Sequence, residues 1–174
     1  MPEYVFRIVK GAKAQIYVQV PAWLRISQAG VKDGVIAEIP TQILSKTWFG
    51  MNSIEGEHCY WISTVAQRTT EGQSYGRHVI HCPVRIINRS EDDLNVEKLA
   101  LRVQRLSVFE KDGELWSDET TLTYRGSSQY SKIELSGKPP RIAAGAALIT
   151  APREATPKGF AAKTFASLKE LSRF

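Results

Sequence analysis

Two His-Cys dipeptides, His58-Cys59 and His81-Cys82, are the side chains in this chain best suited to chemistry. Two thiolates with two imidazoles make a tetrahedral zinc set. A thiolate beside an imidazole makes a nucleophile and its base. The spacing argues against the metal. Neighbours on a strand point to opposite faces, so a regular strand offers one ligand from each pair, and no Cys-x-x-Cys repeat accompanies them. His78 faces away from His81 for the same reason. The expectation is two reduced thiols, no metal and no cofactor. A catalytic Cys59 would need a histidine that meets it in space, and neither a Gly-x-Ser-x-Gly elbow nor a Gly-rich phosphate loop is present. No catalytic residue is therefore assigned, and a hydrolase-type Cys/His pocket is kept as the alternative. Glu91-Asp92-Asp93 and Asp118-Glu119 resemble paired carboxylates, but they fall at turns or strand edges, where solvated acids are ordinary.

The aromatic residues are more informative. Of the four tryptophans, Trp61 sits within a strand-like run and is expected in the core. Trp48-Phe49 precedes a polar stretch, so the two rings either form an exposed binding platform or close one end of the fold. The second candidate surface is the tail. Thr156 caps, and Pro157 opens, a predicted helix reaching about Arg173. On its wheel Phe160, Phe165 and Leu168 share an apolar side, and Lys158, Lys169 and Arg173 a basic one. Its apolar side needs a cover: the body of the protein, a second copy, or a membrane surface.

Residues 4–150 must position these groups, and they read as strands. Ile16, Val18 and Val20 alternate with Tyr17 and Gln19, the period of a half-buried strand. Tyr4 to Val9 and Val35 to Ile39 repeat the pattern. Cys59 to Val65 and His78 to Ile87 are rich in aromatic and β-branched residues, with Pro83 marking a bulge or an edge. Leu99, Leu101 and Val103 alternate with Ala100, Arg102 and Gln104 until a predicted bulge at Arg105-Leu106. Asp112-Gly113 is a strong hairpin marker, with a return strand from Leu115 toward Tyr124 and another at Lys132 to Leu135. The rhythm predicts a mainly β, antiparallel sandwich-like domain over residues 1–150, then a connector and C-terminal amphipathic helix over 151–174.

Composition fits one globular domain: 174 residues, 43% hydrophobic and 24% charged. No apolar run approaches the ~20 residues that span a bilayer, and Met1-Pro2-Glu3-Tyr4 has no secretory-signal character. With only two cysteines, this predicts a cytoplasmic protein. The net charge of +5 is localised: residues 1–136 hold 16 Lys+Arg against 16 Asp+Glu, and residues 137–174 hold 7 against 2. A neutral body with a basic tail is a poor footprint for nucleic acid, which is disfavoured as a partner.

Ser45-Lys46-Thr47-Trp48-Phe49-Gly50, Glu57-His58-Cys59-Tyr60-Trp61, Cys82-Pro83-Val84-Arg85-Ile86-Ile87-Asn88 and the Leu94 to Asp118 hairpin resemble the domain of unknown function four-three-two, over most of residues 15–150. The resemblance implies a prokaryotic intracellular protein and carries no activity or site residues with it. The function expected is non-enzymatic: a binding or accessory domain acting through a protein partner or self-association. Its candidate surface residues are Trp48, Phe49, Phe160, Phe165, Leu168, Lys169 and Arg173. Peripheral membrane binding through the tail helix is a further alternative.

Overall fold

The computed structural model describes residues 5–31, 34–50, 56–64, 66–70, 76 and 78–166. The chain begins with β1 (Phe6–Ile8), β2 (Lys13–Pro21), β3 (Trp23–Ser27), β4 (Val35–Pro40), β5 (Ser45–Phe49) and β6 (Glu57–Trp61). It continues with β7 (Val79–Asn88), β8 (Leu94–Val96), β9 (Lys98–Leu99), β10 (Val108–Lys111) and β11 (Glu114–Ser117). Last come β12 (Thr120–Tyr124), β13 (Ser131–Leu135), β14 (Ala147–Thr150), β15 (Ala161–Ala162) and β16 (Phe165–Ala166). The protein is mainly β. Among the described residues, no helix is long and apolar enough to cross a membrane.

The centre is β7, whose residues from His81 to Val84 and Ile86 are all buried. β2 runs antiparallel along its whole length, setting Val18 opposite Cys82 and Ile16 opposite Val84. Alternation therefore puts Ile16, Val18, Cys82, Val84 and Ile86 on one face. Ile8 of β1, Leu94 and Val96 of β8, Leu106, Leu122 and Ile133 complete that core. β1 and β8 form their own two-stranded ladder. Each large aliphatic side chain so buried contributes roughly 1.5–3 kcal/mol relative to exposure.

The other edge of β7 is shared. β11 pairs parallel with Ile80 and His81, and β12 pairs parallel with Val84 to Asn88. Trp116 lies opposite His81 and Thr120 opposite Val84, so three residues, Ser117 to Glu119, face the two residues Cys82 and Pro83. The extra residue is a bulge, and it interrupts the ladder beside the proline, which has no N–H to donate. The marker read at Pro83 thus belongs to the neighbouring strand.

β10 and β11 form the hairpin expected at Asp112-Gly113, with Lys111 opposite Glu114. Both turn residues have positive φ, 54° and 82°. That is the type I′ geometry favoured by Asp-Gly, because its twist matches the strands.

Two expectations about the elements fail. The alternating run from Leu99 is a two-residue strand followed by a 3-10 turn, Val103–Arg105, and not a bulged strand. The C-terminal amphipathic helix is absent over the described part of the tail. Gly159 takes φ +73°, and Ala162, Thr164 and Ala166 are buried while their neighbours are less so. Burial with period two is the signature of extended chain. β15 pairs with β13, and β16 with β9, so edge hydrogen bonds and the β-branched Thr164 outweigh the helical spacing of the phenylalanines. Leu168, Lys169 and Arg173 lie outside the described residues.

Candidate functional site

Two hairpins stand apart from the central sheet as two-stranded ribbons, β3–β4 and β5–β6. The first grows from the end of β2, where Ala22 N–H donates to the His78 carbonyl (2.7 Å). In its register Leu24 faces Ile39 and Ile26 faces Ala37, so these four share one side. Trp23, Arg25, Glu38 and Pro40 share the other. That second side is tied down: the Arg153 guanidinium donates to both Glu38 carboxylate oxygens (2.9 and 2.6 Å), with Arg25 at 3.8 Å. Arg153 holds the Glu38 carboxyl below its ordinary range by direct hydrogen bonding. The first side is left outward and apolar, with Leu24 57%, Ile26 42% and Ile39 49% exposed. Ile36, which the register leaves without a cross-strand partner, is more exposed still.

The second ribbon separates Trp48 from Phe49. Phe49 is buried, on the side where Glu57 pairs with Arg102. Trp48 is half exposed on the opposite side, with the His58 ring edge-on at 5.3 Å and Tyr60 two residues along. Tyr60 reaches the other ribbon, its ring 5.8 Å from Trp23. Of the two rings read as a pair, one anchors and one is presented. Trp61, expected in the core, is 43% exposed at the end of β6. A two-stranded ribbon has too little interior to hide it.

Lys46 lies on the same side of β5–β6 as Trp48, His58 and Tyr60, so the uncharged outward side is that of β3–β4.

The tail phenylalanines are half-buried. Phe160 lies under the Arg105 guanidinium (4.5 Å), and Phe165 meets Tyr124 edge-on (5.5 Å). Both pack against the core as partly buried side chains. Near Phe165 a recess of about 180 Å³ is lined in part by Asp93, Glu97, Tyr124 and Lys163. Ligand pockets run to roughly 300–1,000 Å³. Asp93 is already engaged there by the Lys10 N–H and by Arg7, which hold its carboxyl below its usual range.

The cysteines sit in different elements, Cys59 on β6 and Cys82 on β7. Burial pushes the Cys82 thiol up to about 12, and it also raises the half-buried Cys59. A nucleophilic cysteine needs the opposite shift. His58 meets Trp48 edge-on, and His81, its pKa lowered by burial, lies tilted against Trp116 (4.8 Å). Among the described residues, no group of three or more His, Cys, Asp or Glu could hold a metal ion.

Asp118 corrects the reading of Asp118-Glu119 as a solvated turn. It occupies the bulge, almost wholly buried. Its carboxylate accepts from the Ser107 N–H (2.9 Å) and the Gly137 N–H (2.9 Å), and its own N–H donates to the Ser107 carbonyl (3.3 Å). Burial raises its pKa, as a catalytic acid's would be raised. Both oxygens, however, serve backbone amides, so the residue closes the strand break. The available signal was a polar triplet, Ser117-Asp118-Glu119, inside an alternating run.

The fold and its outward ribbons define a mainly β domain that presents exposed apolar side chains. The chain matches the family described as "Protein of unknown function (DUF432)" over residues 1–169 and belongs to it. Neither the comparison with curated proteins nor that with solved structures found a match.

Proposed function

We propose that this is a sandwich-like, non-enzymatic binding domain of the cytoplasm that takes a protein partner on the outward side of its two ribbons. One observation carries the reading: the outward side of β3–β4 is apolar, while its charged side is tied to the body through Glu38 and Arg153, and β5–β6 presents the Trp48 ring. A hairpin presented only to water would carry the reverse pattern. Aromatic and aliphatic side chains without charge are what the buried centre of a protein interface requires. The test places a photo-crosslinking residue at Ile36 in the cells that make the protein, with the same residue at Tyr130 as control. A discrete adduct at Ile36, lost when Leu24→Asp and Ile39→Asp are added, is expected. Adducts equal in kind and amount at both positions would overturn the proposal.

A further inference from the structure

Away from the ribbons, the strands of the tail help to build a recess of about 180 Å³. β15 pairs with β13 through Ser131 and Ala162, and β16 pairs with β9. Lys163 to Ala166 thereby become one wall of it, beside Ser131 and Tyr124. Phe165, edge-on to Tyr124 (5.5 Å), makes that wall partly apolar. Ser131 is only 2% exposed, and its hydroxyl has no hydrogen-bond partner among the described residues. A hydroxyl buried to that degree is ordinarily bonded. One left open in the wall of a recess is a group that a bound molecule completes. Thr164, buried beside it, donates its hydroxyl to the Ala162 carbonyl (3.2 Å) and keeps its lone pairs for an incoming donor.

The charges decide what fits. Asp93, Glu97 and Lys163 are the charged side chains lining the recess among the described residues. The charge of Asp93 is already met by Arg7 and the Lys10 N–H. The Lys163 ammonium has no carboxylate partner among the described residues. Glu97 and Lys163 thus set one charge of each sign at the recess. A simple anion would approach Glu97 and a simple cation would approach Lys163, each against a like charge. A molecule carrying both charges meets an opposite for each. Size gives the second limit. A cavity of about 150 Å³ holds benzene, so this recess takes roughly six to nine non-hydrogen atoms. We propose that it binds a free α-amino acid. The carboxylate lies on Lys163 and the Ser131 hydroxyl, the ammonium on Glu97 and the Thr164 oxygen, and the side chain against Tyr124 and Phe165.

Isothermal titration calorimetry of the full chain with glycine, L-threonine and L-leucine tests the proposal. Isobutyrate supplies the negative charge alone, and isopropylammonium the positive charge alone. At least one amino acid should bind, and both single-charge analogues should bind roughly tenfold more weakly or worse. Lys163→Met keeps the stem and should raise the dissociation constant by roughly tenfold or more; Ser131→Ala should raise it by about 2- to 10-fold. Trp48→Ala, on a ribbon, should leave it unchanged. Circular dichroism checks that each variant is folded. In amide-resolved NMR of the wild-type chain, the amino acid that binds should shift Gly126, Thr164 and Ala166, which line the recess, and leave Leu24 and Ile39 in place. This map decides alone if a variant does not fold. No binding of any of the three amino acids at millimolar concentration would overturn the proposal. So would an analogue that binds as tightly, binding undiminished in folded Lys163→Met, or shifts confined to residues outside the recess.

Discussion

Replacing Asp118 by alanine probes the strand break at the middle of the sheet. The carboxylate accepts two backbone N–H bonds at 2.9 Å, from Ser107 at the entry to β10 and from Gly137 beyond β13. Alanine leaves the buried Ser107 N–H facing a small void, and an orphaned buried donor costs about 1–3 kcal/mol, whereas Gly137 is exposed and its N–H turns to water. Near the melting point, each kcal/mol is worth roughly 2–4 °C in a chain of this length, so the midpoint should fall by about 2–12 °C. Asp118→Asn keeps one accepting oxygen but turns an amide N–H₂ toward the other donor. It also removes the cost of burying a charge, whose sign is seen in the raised pKa. Asparagine should therefore fall between wild type and alanine. Thermal denaturation followed by circular dichroism, with a urea series to check that the slope is unchanged, measures both. An alanine variant melting within about a degree of wild type would refute the reasoning, since the scale above assigns it at least about 2 °C. So would an asparagine variant less stable than alanine.

Phe49→Ala should cost about 3 kcal/mol because its ring is buried, whereas Trp48→Ala should stay within about 1 kcal/mol, and urea unfolding separates the two. In the native protein a thiol reagent near pH 8 should modify Cys59 slowly and Cys82 only after denaturant is added; prompt reaction of both would contradict the burial. His81, its pKa lowered by burial, folds best as the neutral imidazole, so its contribution is present above about pH 6.5 and is lost as pH falls below that. Melting temperature should accordingly decline between about pH 7 and 5, above the range where carboxylates titrate, and His81→Phe should flatten that part of the profile.

Local chemistry was readable in the sequence where it alone decided the outcome. Asp112-Gly113 fixes its turn because only residues tolerant of positive φ fit there, and no distant contact can override it. The alternation of Ile16, Val18 and Val20 likewise located β2, whose pairing with β7 sets the core. Where long-range pairing decided, the reading failed. Phe160, Phe165 and Leu168 have helical spacing, yet free edges on β13 and β9 drew Ala161–Ala162 and Phe165–Ala166 into strands. Asp118 looked like a turn acid because its two amide donors come from 11 and 19 residues away. The candidate site was half legible. Trp48 was named, but Leu24, Ile26 and Ile39 were not. An apolar period in a strand does not say which side is inward until Glu38 finds Arg153, 115 residues on.

Hydroxyl-radical footprinting tests the ribbon face most directly, comparing the dilute purified chain with the same chain inside the cells that make it. Side-chain oxidation at Leu24, Trp48 and Tyr60 should drop several-fold in the cell relative to Tyr130, which lies off the ribbons. Equal protection at all four residues, or none at the ribbon residues, would contradict a partner seated on that face.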